Sequence, residues 1–340
     1  MTRGGGIWAV VVWLTAGLPA AACDLCAIYS ADNAREQRKA GLVLTASESF
    51  IPYRTVLFND EKISGSDLDF NDSSITHIVP GYNFSRRFGV SLGLPVVYHN
   101  FKRTEVRYSL TSLPVVRTEQ SSELGLGDVS LIARWTVFEL AKMEYGFGVN
   151  ILAGVKFPTG DTDRIADEVE QTRIFEALLP SGTPHDPLGH SISGVHQHDL
   201  SPGSGSYDGI FGLTARARWS RLFLNAQFQY YLRTEGESGF TYGDEIMASG
   251  GPGIYLLLHE HFTLNLQGIV SYDSMARDEL DGRLSNRTGL TAWYLGPQVG
   301  LTVGERFSAV GGIDLPLRIT ANGLQNVPDY RVHASLVWRF

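Results

Sequence analysis

An all-β chain closed into a transmembrane antiparallel barrel of about twelve strands is the fold class the sequence predicts, and three observations predict it. Apolar and polar residues alternate with a period of two in segment after segment, which marks strands with two unlike faces. Short and long connections alternate down the chain. Large aromatics gather near the strand ends. Charged residues are only 19 % of the chain, while aromatics reach 11 % and 37 residues are glycine, a balance suited to strands and turns. The formal charge of −8, with no basic run interleaved with aromatics, argues against a nucleic-acid partner.

In chain order, residues 1–22 read as a secretory signal. Arg3 supplies the positive start, Ile7 to Leu18 a short apolar core, and Ala20-Ala21-Ala22 a small-residue cleavage site. That core is too short to span a bilayer as a helix. The chain is thereby expected to be exported, in Gram-negative style, into an oxidising compartment. Residues 23–39, "CDLCAIYSADNAREQRK", form a periplasmic segment with helical character, expected to act as a plug or to dock a periplasmic partner. Its Cys23 and Cys26 are spaced for a disulfide, a soft metal or redox exchange. Haem attachment needs a His after the second Cys, where Ala27 stands. Lipidation of Cys23 is disfavoured by Ala20, where a lipobox usually has Leu.

Residues 40–340 are the expected barrel. In "RLFLNAQFQYYLR" the apolar set is Leu222, Leu224, Ala226, Phe228, Tyr230 and Leu232; in "EYGFGVNILAGVKF" it runs from Tyr145 through Ile151 to Phe157. "HFTLNLQGIVSYD" and the terminal "YRVHASLVWRF" repeat the pattern. Alternation alone also suits a soluble sandwich. The placement of Trp219, Tyr145, Tyr272 and Trp338 near strand ends favours aromatic girdles at lipid interfaces. Tight turns fall around Arg86-Arg87, Leu140-Ala141, Ser220-Arg221, Glu260 and Gly304-Glu305. Long loops are expected over 59–74, 102–124, 159–205, 235–249, 274–288 and 319–328. Short periplasmic turns and long extracellular loops give bacterial barrels this asymmetry. The last strand is expected to pair with the first and close the ring, with Phe340 as a terminal aromatic signal for the barrel-assembly machinery.

The strand phases send Arg134, Lys156, Arg216, Arg218, Arg233, Arg331 and His333 into the lumen, together with Asn150, Asn225, Gln227, Gln267, Gln298, Asp273 and Asp314. Such a cationic inward balance predicts a mild anion preference, against a barrel whose interior is filled and non-conducting. The loop "PHDPLGHSISGVHQHD" offers His185, His190, His196 and His198 as ligands for a divalent metal; solvated loop histidines are the alternative. Upstream of it, Ile165, Val169, Phe175 and Leu178 approximate helical spacing, with Asp161 or Thr162 as cap, so a helix folded into the mouth is expected. "GVSLG" around Ser91 matches the hydrolase motif but lies inside a strand, and no Walker loop or dinucleotide fingerprint occurs. No enzyme activity is expected.

Four phrases in order, "GLGDVSLIARWTVFE", "GFGVNILAGVKFPTGDTD", "GSGSYDGIFGL" and the apolar C-terminal strand, resemble the outer-membrane family of the meta-pathway of phenol degradation, a group of transporters. The resemblance runs from about Gly125 to the end. It implies an outer-membrane channel or transporter for passive passage of small solutes, including hydrophobic or aromatic compounds, and carries over no functional residues. Alternatives are a metal-handling pore using the CxxC and histidine loop, or a structural barrel that docks a partner protein.

Overall fold

The computed structural model describes residues 40–63, 69–188 and 191–340. The expected signal sequence (1–22), the expected periplasmic segment (23–39) with Cys23 and Cys26, and His190 lie outside the described residues. Twelve strands make the wall: β1 (Gly41–Phe58), β2 (Phe70–Asn83), β3 (Phe88–Arg107), β4 (Ser130–Ala141), β5 (Tyr145–Lys156), β6 (Asp208–Trp219), β7 (Leu222–Leu232), β8 (Glu245–His259), β9 (Phe262–Met275), β10 (Leu290–Val303), β11 (Phe307–Ala321) and β12 (Arg331–Arg339). Each pairs antiparallel with the next. The ring closes where β12 pairs with β1, Leu44 opposite Trp338 and Ser49 opposite His333. Closure leaves no strand edge and pairs the backbone internally, as hydrocarbon requires.

The wall is apolar on the outside. Leu131, Ile151, Phe211, Leu224, Leu266, Val299 and Leu336 are all exposed there. Exposed Tyr82, Phe88, Trp135, Tyr145, Trp219, Trp338 and Phe340 ring the end with the short turns, and Tyr207 and Trp293 stand at the other. Two aromatic belts about ten strand residues apart fit the roughly 25 Å lipid band of such barrels. Among the described residues no helix is long and apolar enough to cross a membrane; the strands do the crossing. Polar groups interrupt the wall at one place on β1 and β2. Glu48 points outward from β1, and its carboxylate accepts hydrogen bonds from Ser74 Oγ at 2.9 Å and from Thr76 Oγ1, which lessens the cost of holding it at lipid depth.

Several expected loops are strands instead. The stretch Val115–Leu126 continues the line of β4 above a break at 127–129 and pairs with the upper half of β3, Val96 opposite Leu126. Likewise Leu324–Pro328 continues the line of β12 and pairs with the top of β1. Val115–Leu126 is exposed along most of its length, and Leu324–Pro328 is covered by loop and by the tops of neighbouring strands, with Val327 packed on Leu57 and Ala321, so the alternation that marks a membrane strand is lost there and the sequence reads as loop. At these two places the wall rises past the twelve-strand ring.

A second correction concerns the inner face. It is not uniformly polar: Val79, Ile132, Leu152, Ile210 and Tyr231 point inward from five strands and pack together, with Met247 beside them. The lumen is partly filled by its own side chains, as narrow barrels allow.

Candidate functional site

The site is the remaining lumen and the loop segment that caps it. A cavity of about 520 Å³ runs inside the wall. Apolar and aromatic side chains line part of it: Ile51, Tyr53, Ile75, Val97, Met247 and Tyr294. Of the inward residues the sequence assigned, Lys156, Asn225, Gln227, Arg233, Gln267, Asp273, Gln298, Asp314, Arg331 and His333 border the same space. Arg134 and Asn150 do not. They belong to a buried chain in which Arg134 donates to Asn83 and Thr136, Thr136 donates to Asn150 at 2.9 Å, and Asn150 donates to Thr214 at 2.7 Å. Arg216 and Arg218 share the inner face of β6, with Arg218 turned to the backbone carbonyl of Lys142 at 3.1 Å.

The lumen cations are largely neutralised. Arg331 pairs with Asp273 and, at 3.3 Å, with Asp314, and its guanidinium lies 3.7 Å from the centre of the Tyr294 ring. Lys156 sits 2.6 Å from Asp208 and 3.1 Å from Asp128. Arg233 bridges Asp208 and Glu245 at 3.0 Å each. Pairing of this kind lets buried charges persist, and it weakens the free cationic field on which an anion preference would rest.

Asp128 organises the mouth. It sits in the break between Val115–Leu126 and β4, and its carboxylate accepts from the backbone N–H groups of Thr159, Gly160 and Ser204 and from Ser204 Oγ at 2.7 Å. Those residues are the two stems of the longest loop. The stems touch at Gly160 and Gly203, where a Cβ on either would come within 2.6 Å of the other's backbone. Only glycine fits both places. Beyond the stems the loop forms helix α1 (Asp163–Leu178). Thr162 is its N-cap, its carbonyl accepting the Ala166 N–H at 3.0 Å, and the side-chain contact comes from Asp161, which accepts the Asp163 N–H at 2.8 Å. Ile165 and Val169 bury against Leu188, Phe240 and Leu280, and Phe175 meets Tyr108; Leu178 is exposed.

The helix itself does not reach the lumen. What narrows the mouth is the chain after it: Gly194 to His196, His198, Asp199 and Ser201 to Ser204 border the cavity. Val195 and Leu200 anchor this segment on Phe101 of β3, Ser193 Oγ donates to Asp69 at 2.7 Å, and the Asn326 N–H donates to the Gly194 carbonyl at 2.8 Å.

The loop histidines fall into two places. His185 stands at the rim, its Nε2 2.8 Å from Glu176 Oε1, with Arg283 on the same carboxylate. His196 and His198 lie buried beside Glu168 of α1. His198 Nδ1 is 2.8 Å from Glu168 Oε2, which also accepts the His198 backbone N–H, and its Nε2 is 3.4 Å from Asp278. Burial alone would push the His198 imidazolium down, but the carboxylates of Glu168, Asp199 and Asp278 outweigh it, and its pKa is pushed up to about 10. Burial likewise favours a neutral Glu168, yet the two imidazoles hold it well below its ordinary value. Asp278 is raised, chiefly by burial.

At the rim the signs give a test. The Thr183 carbonyl and then Glu176 raise the His185 pKa above 6.5; Arg283 and His185 overcome burial to hold Glu176 below 4.5. The His185 contribution is complete below 6.5 and fades as pH rises through its raised value. That of Glu176 is complete above 4.5 and fades as pH falls through its lowered one. Between those values the clasp is firmest. Histidine NMR titration is expected to place the His185 midpoint above 6.5, and Glu176→Gln to lower it; a midpoint unmoved by that change would show that Glu176 does not hold the ring.

Ser91 sits in mid-strand on β3, facing Gly81. It has no strand-to-helix corner, so the hydrolase motif is accidental.

A closed antiparallel barrel with an apolar outer wall, two aromatic belts and a wet, partly filled interior is a bacterial outer-membrane β-barrel. Comparison with solved structures agrees. An outer membrane channel from Pseudomonas putida F1 superposes with a TM-score of 0.57 at 11 % identity, over 89 % of this chain and 97 % of that one. Two further solved structures superpose less closely. The β domain of the Bordetella autotransporter BrkA has a TM-score of 0.43 at 9 % identity, covering 89 % and 100 % of the two chains. The monoaromatic hydrocarbon channel TodX, as a deletion mutant, has 0.41 at 12 %, covering 91 % and 92 %. No family model and no curated protein sequence matches the chain.

Proposed function

We propose that the chain is a passive outer-membrane channel for small solutes that combine an apolar body with a polar end. The observation that carries this reading is the composition of the cavity wall. Ile51, Ile75, Val97, Met247 and Tyr294 offer apolar and aromatic surface, while Gln267, Gln298, Arg331 and His333 offer hydrogen bonds in the same space. Binding sites for small organic molecules are built from this mixture. The resemblance of the region after Gly125 to phenol meta-pathway transporters supports an aromatic solute, and the likeness to the Pseudomonas channel supports passage. Paired lumen charges support weak rather than steep charge selection.

Proteoliposome swelling tests it. Vesicles carrying the barrel are expected to swell in arabinose and, with valinomycin present, in potassium benzenesulfonate, and to swell little in raffinose. Absence of swelling in all three would favour the structural, partner-docking reading instead.

A further inference from the structure

His196 poses a physical problem that the channel reading leaves unsolved. Its side chain is 3 % exposed, yet neither ring nitrogen has a hydrogen-bond partner. A buried polar group left unpaired costs about 1–3 kcal/mol, and such groups in native proteins call for a reason. The ring does not point into apolar packing. It lies 5.1 Å from the His198 ring and borders the lumen cavity. Its Nδ1 is 3.6 Å from Glu168 Oε1, beyond hydrogen-bond reach.

We propose that Glu168, His196 and His198 form a binding site for one divalent transition metal of the zinc class, which clamps helix α1 to the segment that narrows the mouth. One ligand atom from each residue lies within 4.8 Å of the others. In a tetrahedral site with bonds of about 2.0–2.1 Å, neighbouring ligand atoms sit roughly 3.3 Å apart. His196 Nδ1 lies 3.6 Å from one Glu168 oxygen and His198 Nδ1 2.8 Å from the other, so the carboxylate already stands near both imidazoles at about that spacing.

The surroundings match as well. Asp278 stands at the far nitrogen of His198, the carboxylate–histidine arrangement that orients metal ligands. The backbone N–H of His198 fixes the Glu168 carboxylate from outside. Both histidines border the cavity, so the fourth position faces the lumen and is open to water or a solute. Two imidazoles and one carboxylate suit zinc, and would also take copper or nickel; they do not suit calcium or magnesium.

The test uses the full barrel in detergent, with Cys23→Ser and Cys26→Ser so that the thiols cannot take up metal. Isothermal titration with zinc chloride is expected to show one site with a Kd below about 10 µM. His196→Asn and Glu168→Gln are each expected to weaken it at least tenfold, while His185→Asn leaves it unchanged. His196 gives up only its 3.6 Å contact with Glu168 on substitution, so His196→Asn is expected to keep the fold, checked by heat-dependent gel migration, even if Glu168→Gln does not. Zinc binding weaker than about 100 µM, or binding that survives His196→Asn, would overturn the proposal. Zinc binding is read without any transport measurement, so the clamp and the channel stand or fall separately.

Discussion

Asp128→Ala is expected to lower the unfolding free energy of the barrel by about 3 kcal/mol or more and to expose the longest loop to protease. The substitution removes one carboxylate and with it four hydrogen bonds to the stems at Thr159, Gly160 and Ser204. It also takes one of the two acids from Lys156, whose side chain is 6 % exposed. Breaking a buried pair from one side leaves an under-compensated charge, which is why the cost exceeds that of a surface contact. Urea unfolding followed by tryptophan fluorescence in micelles reads the stability, and limited proteolysis reads the loop. Asp128→Asn retains an acceptor oxygen and should fall between wild type and alanine. An unchanged midpoint in Asp128→Ala would mean that the stems are held by something other than this carboxylate.

Replacing residues 194–201 by a Gly/Ser linker of equal length is expected to raise single-channel conductance several-fold in planar bilayers. The segment borders the cavity from the extracellular side and is seated on Phe101 through Val195 and Leu200. A flexible linker has no apolar anchor to hold it there, so the mouth should widen while the wall, paired strand to strand, is untouched. Conductance equal to that of wild type would place the narrowest point deeper, among Val79, Ile132, Leu152 and Ile210.

The wall was legible because lipid enforces its rule at every second residue. Tyr145–Lys156 and Leu222–Leu232 alternate cleanly, and their phases send Asn150, Lys156, Asn225 and Gln227 inward. The rule fails where the surroundings on both faces are alike. Above the bilayer, Val115–Leu126 meets polar surroundings on each side and loses its period. Inside, Ile132 and Leu152 are apolar against apolar neighbours, and nothing in a local pattern marks an inward residue as core rather than wall. The histidine loop shows a further limit. Spacing could suggest that His196 and His198 share a face, but their carboxylate partner comes from α1, and the separation of His185 from them is a property of the folded loop. Asp128 carried no signal beyond its glycine-flanked place between strands.

The pairing of Arg331 with Asp273 and Asp314 has a bearing on biogenesis. Both acids belong to strands made earlier in the chain, whereas the guanidinium arrives on the final one. An unfinished barrel would hold two carboxylates facing each other across a drying interior with no counter-ion from the polypeptide. Sealing the seam and quenching that repulsion are therefore one event, which gives the completed cylinder an electrostatic reward that no shorter intermediate can collect.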